Sequence, residues 1–238
     1  MRFYEIDLLR GIAICLMIFY HLLFDLYFFY SVNFITEFVN WRFVQVITGS
    51  LFLTLVGISL TLKAQRLEKN KVSLTFQPFF VRSLKLFVLA FFLSTIINIF
   101  VTGGLIIFGI LHLIALSLIL TYPFLKRPFV SLLGSITIFF SSIFFTFLLD
   151  NRNLLIPLGG RHPQISMIDY YPLFPWLAFV LLGISLGNFF YRNYSPKFAL
   201  PNIQQNIIFK FLSFLGRHSL LIYFVHQPIL LLVLRIFL

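Results

Sequence analysis

Residues 4–29 read YEIDLLRGIAICLMIFYHLLFDLYFF. The run is longer than the roughly 20 apolar residues a helix needs to cross the hydrocarbon core of a bilayer. Its expected span is 6–29, and similar runs recur at 44–62, 82–101, 105–125, 129–149, 172–190 and 216–238. All are read as helices, because a lone strand leaves its backbone polar groups unpaired in lipid. The alternating ten-residue segments of a membrane barrel are missing from the sequence. The predicted fold is therefore all-α, a polytopic membrane helix bundle with about seven transmembrane helices in a single domain over 1–238. Composition agrees: 60% of residues are hydrophobic and 11% charged, less than half of the roughly 25% charge of a soluble domain.

The formal net charge of +11 invites a nucleic-acid reading, but the charges follow topology instead. With the N-terminus placed on one side, every Lys and Arg except Arg42, Arg152, Arg161 and Arg235 falls on or near that side. An excess of Lys and Arg marks the cytoplasmic face. The expectation is a multi-pass cell-membrane protein, N-terminus cytoplasmic and, after seven spans, C-terminus outside, with the lipid bilayer and no nucleic acid as partner. The basic stretch 63–85 reads as a topology signal that touches anionic headgroups; the alternative is a ligand site. The first run does not read as a cleavable signal, because Arg10, His21 and Asp25 interrupt what a signal core keeps apolar. Cys15 is the single cysteine, so no intramolecular disulfide is expected. No repeat, low-complexity tract or appended soluble domain is expected. Residues 207–215, IIFKFLSFL, read either as an interfacial lead-in to the last span or as part of it.

Ionisable groups within a span cost roughly 2.5–3.5 kcal/mol each on insertion scales, so the exceptions are informative. At about 100° per residue, Asp7, Arg10, His21 and Asp25 fall within about 60° of one another on the first helix. His21 lies about 16 Å deeper than Arg10. Asp25 follows His21 at i+4, where their side chains can meet. A carboxylate beside an imidazole fixes its tautomer and raises its basicity, which suits a general base. The bland alternatives are an i,i+3 ion pair of Asp7 with Arg10 that holds the bundle, and a His21 satisfied in the core. In the last span Ser219, Tyr223 and His226 share one face. Pro228 there frees the carbonyl of Phe224, so His226-Gln227-Pro228 points to an internal polar cavity; a helix-packing hydrogen bond is the other reading of His226. His112 stands alone in the fourth span, as open to packing as to a pocket. Ser50, Thr54, Gly57 and Thr61 form a stripe of small residues for close helix approach. The outer loop 150–171 ends in Asp169-Tyr170-Tyr171-Pro172 and runs on to Trp176, aromatics that fit an interfacial belt. Asp169, Arg161 and His162 are candidates for the mouth of a pocket, with Asp169 and Trp176 the candidate substrate contacts, since carboxylates and aromatics together suit glycans. The histidines lie on different spans and no cysteine cluster exists, so no metal is expected.

Five stretches, EIDLLRGIAICLMIFYH (5–21), LFLTLVGISL (51–60), FGILHLIALSL (108–118), DYYPLFPWLAFVLLGISLG (169–187) and FLGRHSLLIYFVHQPIL (214–230), occur in an order that resembles the small prokaryotic members of the heparan-α-glucosaminide N-acetyltransferase catalytic-domain family. That family is similar to the wider transmembrane acyltransferase superfamily. The resemblance runs from Tyr4 to Leu231. It implies an acyl-CoA-dependent transmembrane N- or O-acetyltransferase that moves an acetyl or other acyl group from cytosolic acyl-CoA to an amine or hydroxyl of a sugar or glycan on the far side. Acetyl-CoA or another acyl-CoA would be the co-substrate. Arg10 and Arg217 would meet the coenzyme's phosphates, which arginine suits, with His112 and Ser219 also on the coenzyme side. His21 would be the base, with Asp25, His226 and Tyr223 completing the catalytic group. The lysosomal branch carries asparagine where this chain has His21 and places its catalytic histidine in the following loop. Here Ser31–Arg42 contains no histidine, so that mechanism does not transfer residue by residue. Two other classes use the same features: a proton-coupled small-molecule transporter, and a non-catalytic membrane assembly partner whose polar stripe is only adhesive.

Overall fold

Long apolar runs favour helices, which pair their own backbone groups, and helices dominate the chain. A computed structural model describes residues 3–30, 41–100, 105–149, 153–160, 167–198 and 206–237. Among them are eight α-helices: α1 Tyr4–Phe28, α2 Trp41–Lys69, α3 Gln77–Phe100, α4 Ile110–Leu120, α5 Pro128–Leu148, α6 Leu173–Phe190, α7 Ile207–Arg217 and α8 Ser219–Phe237. A two-residue antiparallel hairpin, β1 Tyr191–Arg192 with β2 Ser195–Pro196, follows α6. Its turn residues Asn193 and Tyr194 have φ of 51° and 57°, the left-handed pair that matches strand twist in a tight hairpin.

Six of the helices, α1, α2, α3, α5, α6 and α8, are long and apolar enough to cross a membrane. The seventh expected span, 105–125, takes another form. Its helix, α4, has 11 residues, about 16 Å of rise, half of a hydrocarbon core of about 30 Å. Residues 105–109 ahead of it are irregular, and their backbone is paired elsewhere. Ile168 N donates to Leu105 O at 3.1 Å and Tyr171 N to Phe108 O at 3.1 Å, while Ile106 N donates to the side chain of Asn98 at 2.9 Å. Non-helical backbone in an apolar setting needs such internal partners. The last expected span is also redrawn: the 207–215 stretch forms its own helix α7 and the long helix begins at Ser219. Asn206 caps α7 by accepting from Ile208 N at 2.8 Å, the usual use of Asn at a helix start.

By its contacts the chain divides into two compact units, Met1–Leu55 with Ala199–Leu238, and Val56–Phe198. In the first unit α7 lies directly on α1. A Cβ on Gly11 would run into the Leu212 carbonyl, and one on Gly216 into the Asp7 carbonyl. Small residues permit this backbone-to-backbone approach. α7 exposes its other side, with Ile207 80% and Ile208 62% exposed, the two-faced pattern of a helix at an interface. α1 buries Asp7, Gly11, Ile14, Met17, Tyr20, Phe24 and Asp25.

In the second unit, hydroxyl and amide side chains link neighbouring helices. Ser83 donates to Ala115 O at 2.6 Å, joining α3 to α4, and Ser135 to Ala178 O at 2.8 Å, joining α5 to α6. Of the small-residue stripe on α2, Gly57 and Thr61 pack there against α6. A Cβ on Gly57 would strike the Val180 carbonyl, and Thr61 Oγ1 donates to Ile184 O at 3.2 Å. Phe91 and Ile143 leave 71% and 73% of their surface exposed, apolar area suited to lipid rather than water.

Candidate active site

The first unit gathers most of the candidate residues into two groups along α1. The deeper group is a contact between α1 and α8. The His21 and His226 rings lie 4.7 Å apart between centroids at 57°, with Tyr20 edge-on to His21 at 5.1 Å and Tyr223 5.7 Å from His226. His226 Nδ1 is 2.7 Å from Tyr223 O. A carbonyl only accepts, so Nδ1 carries the proton, and in the neutral ring Nε2 holds the lone pair. That Nε2 is buried without a partner, and so is His21 Nδ1.

Asp25 does not orient His21. Its carboxylate is fully buried and accepts instead from Gln227 Nε2 at 2.7 Å. The i+4 spacing allowed a His21–Asp25 pair, but α8 offers each residue a cross-helix neighbour. Asp25 Oδ2 and Gln227 Oε1 are buried without partners among the described residues. Gln227 was not among the sequence candidates, because one residue of rotation from His226 takes it off the Ser219–Tyr223–His226 face. Its signal was an amide inside a membrane-length apolar run. α8 continues through Pro228, so the proline frees the Phe224 carbonyl without ending the helix.

The second group sits where α1 and α7 touch. Arg10 forms an i,i+3 ion pair with Asp7 at 3.0 Å. Arg217 ends α7, rather than starting the long helix, and donates from Nε to Ser213 O at 3.2 Å. The contacts of Gly11 with Leu212 and of Gly216 with Asp7 bring both arginines to one helix crossing. Ser219 opens α8, half-buried.

The second unit holds His112, Asp169 and Trp176. The first two share a helix cap. Asp169 Oδ2 accepts from Ile110 N at 3.1 Å, and His112 Nδ1 accepts from Gly109 N at 3.3 Å. Two N–H groups at the start of α4 thus have partners, and its dipole is met by a carboxylate. Trp176 packs 4.6 Å from Tyr171 and 5.8 Å from Phe179. Arg161 and His162 lie outside the described residues, as does 31–40 of the loop after α1. Among the described residues no group of three or more His, Cys, Asp or Glu could hold a metal ion.

Among the described residues six helices are of membrane length, and two of them bring a pair of imidazoles together; the protein belongs to the class of multi-pass helical membrane proteins. The model of the family described as heparan-alpha-glucosaminide N-acetyltransferase, catalytic, matches residues 2–228. The chain belongs to that family, a family of acetyltransferases. No curated protein and no solved structure matched the chain.

Proposed function

We propose that the protein moves an acetyl or related acyl group from cytosolic acyl-CoA to an amine or hydroxyl of a sugar or glycan on the far side of the membrane. The observation that carries this reading is the His21–His226 pair, two imidazoles in contact with a buried, unpartnered nitrogen on each. A base needs a free lone pair within reach of a proton, and His226 Nε2 has one whose tautomer the Tyr223 carbonyl fixes.

The acyl-CoA enters from the N-terminal, cytoplasmic side, where the basic residues collect, and Arg10 and Arg217 hold its phosphates. The acceptor's nitrogen or oxygen attacks the thioester carbonyl carbon. The imidazole pair takes the acceptor's proton, the C–S bond breaks, and the leaving thiolate takes that proton to give free CoA. The Tyr223 hydroxyl supports the developing oxyanion. The family's acetyltransferase character supports the reaction class. The acyl-CoA donor and the amine or hydroxyl acceptor are what membership of that family implies; arginines suit a coenzyme's phosphates and a histidine base suits either acceptor.

Calorimetry of acetyl-CoA with the purified, detergent-solubilised protein tests the reading. The expected result is binding by the wild type, weakened in Arg10→Ala, with acetyl transfer lost in His21→Ala and in His226→Ala. A folded wild type that does not bind acetyl-CoA would overturn it and favour proton-coupled transport.

A further inference from the structure

Three atoms in the α1–α8 contact are acceptors without a donor: Asp25 Oδ2, Gln227 Oε1 and, in the neutral ring, His226 Nε2. A fourth atom, His21 Nδ1, is also buried and unpartnered. Buried polar side-chain atoms nearly always find partners, and each that does not costs about 1–3 kcal/mol. These residues are adjacent in space. Gln227 is bonded to Asp25 at 2.7 Å, His226 precedes Gln227 in the chain, and the His21 ring lies 4.7 Å from that of His226. Among the described residues no cation is paired with the Asp25 carboxylate, whose side-chain bond is to a neutral amide. A surplus of acceptors concentrated beside the imidazoles is complementary to a group rich in N–H or O–H donors.

We propose that Asp25 and Gln227 form the acceptor-binding site of the transfer reaction, taking a primary ammonium or adjacent hydroxyls of a sugar. Resting on the acyltransferase reading, this assigns the acceptor to the α1–α8 layer and leaves Asp169 to its work at the start of α4, where it bonds Ile110 N. The thioester group itself has no N–H or O–H, so the three acceptors serve the amine or hydroxyls of the acceptor rather than the carbonyl under attack. Gln227 keeps one carboxylate oxygen occupied and so turns the other toward the ligand. An ammonium bound there lies beside His226 Nε2, the atom placed to take its first proton, which is released to solvent; the second proton, lost as the amide forms, goes to the leaving thiolate.

The test measures the thermal stabilisation of the full-length protein in detergent by glucosamine and by glucose, alongside acetyl-CoA calorimetry. Glucosamine stabilising the wild type, with its apparent affinity falling about tenfold or more in Asp25→Asn and in Gln227→Leu, is the expected result. Stabilisation by glucosamine alone identifies the ammonium as the bound group; equal stabilisation by glucose identifies the hydroxyls. Acetyl-CoA affinity stays unchanged in both variants. The wild-type measurement stands even if a variant does not fold, and no stabilisation by either sugar overturns the proposal. So does stabilisation that survives both substitutions, or a matching loss of acetyl-CoA affinity. Absence of acetyl-CoA binding by the wild type would strike the acyltransferase reading and with it the site's place in a transfer, while the sugar measurements would still decide whether Asp25 and Gln227 bind a sugar.

Discussion

Gly216 of α7 rests on the backbone carbonyl of Asp7 in α1, and a side chain of any size would collide with it. The residue after Gly216 is Arg217, and Asp7 is the ion-pair partner of Arg10. The glycine therefore sets how closely the segment that carries Arg217 approaches the segment that carries Arg10, so on the proposed reading a change there affects stability and coenzyme binding together. Gly216→Ala adds a single methyl against backbone, which cannot move aside as a side chain can. It is expected to cost at least the roughly 1–3 kcal/mol of an overpacked core, read as a lower melting temperature. Ser213→Ala, one turn away, removes only a long 3.5 Å hydrogen bond to Tyr4 O and is expected to melt near the wild type. Equal melting of Gly216→Ala and wild type would mean that α7 does not press on α1.

Arg10 and Arg217 differ in what they must give up to bind an anion. Arg10 is tied to Asp7, whereas Arg217 is exposed and bonds a carbonyl of its own helix. Each charge-assisted contact is worth about 1.5–3 kcal/mol, so Arg217→Ala is expected to weaken acetyl-CoA binding by roughly 10–100-fold. Asp7→Asn removes the competitor for Arg10 and is expected to leave binding equal or tighter. Titrations at two salt concentrations check the charge dependence: the wild type loses affinity with salt, and Arg217→Ala loses less. A salt-independent wild-type affinity would remove both arginines from the coenzyme site.

The two polar stripes were legible in the sequence because ionisable residues stand out in an apolar run, and α1 and α8 carry them as expected. The partners were not legible. Helical spacing shows that Asp25 can reach His21, but only the register of α1 against α8 gives Asp25 to Gln227. That register depends on a neighbouring helix no periodicity describes. Hydropathy likewise marked 105–125 as one span. It could not show that residues 105–109 bond the 167–171 segment or that α4 starts only at Ile110. His112 and Asp169 read as site residues because they are polar in apolar surroundings. Their polarity is used at the start of α4, a short helix with a buried N-terminus.

Asp169 therefore gives a prediction opposite to that of Asp25. Its carboxylate accepts from Ile110 N at 3.1 Å, and loss of such a cap costs about 0.5–2 kcal/mol. Asp169→Ala is expected to lower the melting temperature while leaving the acceptor KM of the folded fraction at the wild-type value. Asp169→Asn retains an oxygen in place and restores most of the lost stability. A raised KM in a variant that melts normally would return Asp169 to the substrate site.

The imidazole pair should behave as one unit. His226 has its Nδ1–H committed to Tyr223 O, so Nε2 alone is free to take a proton, and His21 is the ring next to receive it. Removing a positioned base costs about 10²–10⁴ in rate. His226→Ala and His21→Ala are each expected to lower kcat by that order while acetyl-CoA still binds. Residues that act together lose their effect once, not twice, so the double variant should be no slower than the slower single one. His226→Asn separates the two ring nitrogens. Its amide can still donate to Tyr223 O, which preserves the α8 contact, but it supplies no basic lone pair where Nε2 stood. Wild-type melting with kcat as low as in His226→Ala would locate the function at Nε2. Full activity in His226→Asn would show that the ring serves only to pack α8 on α1, and would leave His21 to act without it.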